Sequence, residues 1–182
     1  MIHDLQVWLV TTIGPNSPVS GMMRSAWGWP IAESLHFLGL TMLVGCIGTF
    51  DLRLLGVAKR VPIAVVHRFI PWGIAGFVIN ATTGALFLLT EPDQYIYNVS
   101  FHLKLMFLTI GGTNAALFYL TSYRQAFGDA AVLDAPRHAK VIAAVSLCAW
   151  TGVIVCGRLL TFYRPAPCPQ VVTSLLMACF PP

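Results

Sequence analysis

Two histidines, His36 and His102, fall at similar depths near the starts of two different hydrophobic segments of this chain. An imidazole inside a bilayer is costly unless something binds it. Two parallel helices that each offer one imidazole at the same height can grip one metal ion or one haem iron between them. A second pair, His67 and His138, falls near the opposite ends of two other segments. Its depths match less well, and it gives a lower-ranked second site. The fifth histidine, His3, lies in a short N-terminal stretch and reads as exposed.

Composition sets the surroundings of these rings. Of 182 residues, 57% are hydrophobic and 10% are charged, where a soluble domain carries about a quarter charged residues. So little polar surface cannot cover a water-soluble globule, and the solvent is lipid. The net charge of +4 gathers at segment ends, so it reads as membrane orientation and not as a nucleic-acid footprint. There is no glycine-rich phosphate loop, no Gly-x-Ser-x-Gly and no Cys-x-x-Cys-His for covalent haem attachment. Any haem is then a non-covalent b-type group.

Four stretches are long enough to cross roughly 30 Å of hydrocarbon, which takes about 20 helical residues. They run from about Pro30 to Gly56, Pro62 to Leu89, Val99 to Tyr123 and Ala139 to Tyr163. In lipid only a helix satisfies its own backbone within one segment. The expected fold is an all-α membrane protein, a four-transmembrane-helix up-down bundle with a short N-terminal interfacial helix around Leu5–Ile13. The expected organisation is an interfacial amphipathic segment over residues 1–25, the bundle over 26–165 and a Pro- and Cys-containing tail over 166–182. Arg53, Lys59, Arg60, Arg124, Arg137 and Lys140 gather at one end of the bundle. The positive-inside rule puts that end in the cytoplasm and both termini outside. In a bacterial inner membrane the tail would then be periplasmic, where Cys168 and Cys179 could pair. Cys46, Cys148 and Cys156 read as packing residues inside spans.

In such a bundle the first and third helices are parallel. His36 lies roughly 9 Å along the first from Pro30, and His102 about 5 Å along the third from Val99. Below His36 come Gly39, Leu43 and Cys46, and below His102 come Leu105, Met106, Thr109 and Gly112. Small residues on these faces leave room for a flat macrocycle. Arg158 is placed to pair with haem propionates, with Lys104 or Trp29 at the same mouth. The competing reading has His36 bonded to Glu33 or a backbone carbonyl, and His102 wetted by headgroups. Glu33 and His36 also form a Glu-x-x-His pair, but a di-metal site needs more carboxylates than the spans hold. Glu33 reads instead as a side chain that orients the His36 ring or, ahead of that, as a partner of Arg158. Asp51 and Arg53 read as an interfacial charge pair. Asn80, Thr82, Thr83 and Asn114 read as interhelical hydrogen bonders, and the glycine pairs Gly73/Gly76 and Gly152/Gly157 as sites of close helix approach.

The strings Trp29-Pro-Ile-Ala-Glu-Ser-Leu-His-Phe-Leu-Gly, Phe50-Asp-Leu-Arg-Leu-Leu-Gly, His67-Arg-Phe-Ile-Pro-Trp and Gly157-Arg-Leu resemble a family of four-span bacterial inner-membrane proteins that carries a domain-of-unknown-function label. That resemblance implies location and fold more than activity. The histidine layout is also similar to that of cytochrome b561-type proteins, which pass electrons through haem b. The resulting expectation is a membrane-embedded b-type cytochrome-like subunit. His36 and His102 would ligate one haem, with His67 and His138 as a second pair. It would carry electrons between quinol and a periplasmic or membrane partner, within a larger complex or a homo-oligomer. Two alternatives stay open: a non-catalytic accessory subunit of a respiratory or photosynthetic complex, and a metal-ion or small-solute permease lined by Glu33, His36 and His102.

Overall fold

Prolines punctuate the helix starts. Pro62 and Pro136 sit at N-caps, and Pro71 lies in the first turn of its helix, where a missing N–H costs nothing. The computed structural model describes residues 17–123, 126 and 134–163. Helix α1 spans Pro18–Met23 and α2 Gly28–Leu55; α3 spans Ile63–His67 and α4 Ile70–Thr90. Helix α5 spans Pro92–Ile96, α6 Val99–Leu117 and α7 Arg137–Phe162. The described residues are helical or in connecting turns, with no strand among them. Four membrane-length spans result: Gly28–Leu55, Ile63–Thr90, Val99–Ser122 and Arg137–Phe162. The chain is an all-α, multi-pass membrane protein. The expected span boundaries agree with these within about two residues. The interfacial stretch around Leu5–Ile13, His3, the Arg124 segment, Arg164 and the Cys168/Cys179 tail lie outside the described residues.

Local signals end each span. At the close of α2, Gly56 adopts φ 104° and the Val57 N–H reaches back to the Leu52 carbonyl. That left-handed cap suits a residue without Cβ. The second span breaks between α3 and α4 at Arg68–Phe69, just before Pro71. Asn98 caps α6 by accepting from the Ser100 N–H at 2.9 Å, and its amide nitrogen donates to the Tyr163 carbonyl. One side chain thus ties the start of the third span to the end of the fourth. The third span finishes in a π-helical turn, Phe118–Ser122.

The first span packs on the second and on the fourth, and the third packs on the fourth. The second and third spans do not pack closely by backbone. The core is layered along the membrane normal. Met23, Ala32 and Phe87 form one end layer; Leu43, Trp150 and Val153 form the middle, joined by Phe107 and Leu108. Phe50, Leu54, Ile63, Val66, Phe118, Ala139 and Ala143 form the other end layer. Large apolar side chains such as Trp72, Val141 and Leu120 project outward, as a lipid solvent permits.

The crossing of the first two spans is set by Gly39 and Gly76. A Cβ on Gly76 would lie 2.6 Å from the Gly39 carbonyl oxygen and 2.7 Å from the Leu43 nitrogen. Gly39 was expected to leave room for a macrocycle. Its space is filled by the backbone of the second span.

At the end bearing Lys59, Asp134 accepts from Lys140 at 2.9 Å and from Lys59 at 3.2 Å. The two ammonium groups hold the exposed Asp134 carboxyl below the usual aspartate value. The folded value is the lower one. The small stabilisation is therefore present above pH about 4 and fades as pH falls through the folded midpoint. A carboxyl-detected NMR titration should place that midpoint below the ordinary one, and Lys140→Met should move it back up.

Candidate functional site

Polar side chains from all four spans converge in one half of the bundle. His36 on the first span, Thr83 on the second, Lys104 on the third and Cys156 on the fourth lie roughly 12, 10, 8 and 9 Å from the same ends of their helices, at 1.5 Å per residue. The Gly39–Gly76 crossing brings the first pair together. One turn from it, the Asn80 amide donates to the His36 carbonyl at 2.9 Å. The Thr83 hydroxyl lies 2.8 Å from His36 Nδ1. The ring meets Phe87 edge-on at 5.5 Å and stands over Gly84.

Hydrogen-bond accounting fixes the tautomer of the neutral ring. Thr83 has one hydroxyl proton, and it points to the Ile79 and Asn80 carbonyls at 2.8 and 3.1 Å. The hydroxyl must then accept from His36, so Nδ1 carries the proton and Nε2 presents a lone pair. Lys104 supplies the opposite character. Its side chain enters the bundle alongside Gly157 and Cys156, with Nζ 3.7 Å from where a Gly157 Cβ would stand. Its charge is close enough to act on His36. No carboxylate forms an ion pair with it among the described residues. The site thus offers one hydrogen-bond acceptor and one cationic donor, with a buried thiol beside them.

The residues expected from sequence fall differently. His102 has its depth but not its face. Two helical residues turn about 200°, so with Lys104 facing inward His102 faces out. It is exposed, and its Nδ1 bonds the Asn98 carbonyl of its own helix at 3.0 Å. No hydrogen bond or ring contact joins it to His36 among the described residues. The described contacts do not bring these two imidazoles together. Arg158 is exposed and stacks over the Phe162 ring at 4.9 Å. Glu33 is exposed, with no ion pair to Arg158 among the described residues. Of the two partners expected for the His36 ring, the backbone of Asn80 hydrogen-bonds it, and no bond to Glu33 is formed among the described residues.

No hydrogen bond or ring contact among the described residues joins His67 to His138 either. His67 Nε2 lies 3.1 Å from the Tyr119 hydroxyl, and its ring is bracketed by Phe50, Tyr119 and Tyr123 at 5.6, 6.0 and 5.7 Å. His138 is exposed in the first turn of α7. No group of three or more His, Cys, Asp or Glu side chains among the described residues is placed to hold a metal ion. Asp51 and Arg53 do not form the expected interfacial pair. Arg53 is 2% exposed and donates to the Val61 and Lys59 carbonyls, whereas Asp51 bonds Ser146.

Lys104 and Thr83 are the residues that sequence reasoning undervalued. One signal could have raised Lys104: a lysine about five residues inside a span is too deep to be free, and its long stem needs a polar destination. Comparison with protein-family models, curated proteins and solved structures finds no match to this chain.

Proposed function

We propose that this chain is a membrane-embedded subunit of an electron-transfer assembly that binds a quinol headgroup between His36 and Lys104. The observation that carries the reading is the pairing, at one depth inside the bundle, of an imidazole acceptor with an ammonium donor. A quinol presents hydroxyls at opposite edges of its ring. One donates to His36 Nε2, and the oxygen of the other accepts from Lys104. Thr83 holds the imidazole in the tautomer that this requires. The loose packing between the second and third spans gives a lipid-dissolved ligand a lateral way in. A half-buried ammonium that pairs with no carboxylate among the described residues also calls for an oxygen partner. With the basic loops on the cytoplasmic side, this site lies toward the periplasmic face of a bacterial inner membrane.

The test uses the full chain in nanodiscs with a short-tailed quinol. Wild type should bind it, and bound quinol should slow alkylation of Cys156 by a lipophilic maleimide. His36→Ala should weaken binding about tenfold or more, and His102→Ala should leave it unchanged. Equal binding by wild type and His36→Ala would overturn the proposal. The free Nε2 of His36 favours one other occupant, a b-type haem held on His36 without His102. A Soret band in the purified protein that vanishes in His36→Ala would put haem in the place of quinol.

A further inference from the structure

A second polar site lies across the apolar middle layer from the first, and it does not depend on the quinol reading. Asp51 stands in the last turn of the first span, four residues from Leu55 or roughly 6 Å from the helix end. It is only 4% exposed, and its neighbours Phe50 and Leu54 belong to the apolar end layer. Ser146 of the fourth span, itself 6% exposed, hydrogen-bonds its carboxyl. The other oxygen, Oδ2, is buried and has no hydrogen-bond partner.

The bonds described for the nearby cations run elsewhere, although Arg53 Nη1, two residues along the same helix, is itself buried. Arg53 turns to the carbonyls of Lys59 and Val61, and Lys59 and Lys140 pair with Asp134. From the third span, the Asn114 amide nitrogen donates to the Ile142 carbonyl at 2.8 Å, one turn before Ser146. No ion pair involves Asp51 among the described residues. A carboxyl oxygen out of water needs compensating positive charge. No hydrogen bond or ion pair among the described residues supplies it at Oδ2.

We infer that Asp51 and Ser146 form a monovalent-cation site, taking up a proton or a sodium ion from the end of the bundle that carries Lys59. Infrared difference spectroscopy of the full chain in lipid tests this, with sodium chloride compared against choline chloride. A neutral-carboxyl stretch that moves on deuteration and is missing in Asp51→Asn identifies the cation as a proton. A carboxylate stretch that shifts with sodium but not choline, again missing in Asp51→Asn, identifies sodium. Ser146→Ala keeps the carboxyl but removes its bonded hydroxyl. It should displace whichever band is seen, and it serves if Asp51→Asn fails to fold. A wild-type spectrum with no neutral-carboxyl stretch and no response to sodium would overturn the inference.

Discussion

Gly76→Val should dismantle the bundle. The added Cβ would have to occupy space 2.6 Å from a carbonyl oxygen and 2.7 Å from a backbone nitrogen of the facing helix. Neither atom belongs to a flexible side chain, so the two helices must separate. Overpacking of an ordinary core costs about 1–3 kcal/mol. Here the loss should exceed that range, because separation also breaks the Asn80 bond to the His36 carbonyl and the Thr83 bond to the ring. In lipid, small residues are what allow close helix approach, and close packing is what holds helices together. Gly45→Ala and Gly112→Ala are the controls. Nothing lies within 4 Å of a Cβ at either position, so each should be neutral or slightly stabilising by helix propensity. Melting in detergent, followed by helix content, checks all three. Should Gly76→Val melt with the controls, the crossing is looser than this geometry.

Lys104→Met should do two opposite things at once. The thioether side chain keeps the length of the stem and removes the charge. The wild-type ammonium lies among Gly157, Cys156 and His36, with no carboxylate partner among the described residues. Replacing it with an apolar isostere removes a desolvation cost, so the variant should be at least as stable as wild type. Hydrogen bonds to charged groups contribute about 1.5–3 kcal/mol, so quinol affinity should fall roughly 10- to 100-fold. Melting and ligand titration on the same preparation check both. A variant that loses stability and keeps affinity would mean that Lys104 is a structural prop.

The contrast between Lys104 and His102 shows what could be read in advance. The four spans were legible because length and hydropathy fix them whatever the partners are. Depth was legible too, since the rise per residue turns a position number into a height. The inward face was not. In a water-soluble helix one stripe is apolar and the other polar, and the pattern names the core side. Here both the lipid side and the core side are apolar. The pattern around His102 and Lys104 therefore carried no sign of which one turned in. The glycines misled for a related reason. Gly39 marks closeness, but only coordinates say whether a cofactor or a neighbouring backbone comes close. Asp51 and Arg53, two apart in sequence, suggested a charge pair. Their bonds run to Ser146 on one side and to the Lys59–Val61 loop on the other, contacts that sequence adjacency could not indicate.

The π-helical turn at Phe118–Ser122 carries one residue more per turn than the helix before it. Side chains on either side of it are therefore out of phase. The buried stripe still runs on through Gly111, Asn114, Phe118 and Ser122, and Tyr119 and Tyr123 stand beside it. The phenolic rings of Tyr119 and Tyr123, at this turn, lie beside the imidazole of His67.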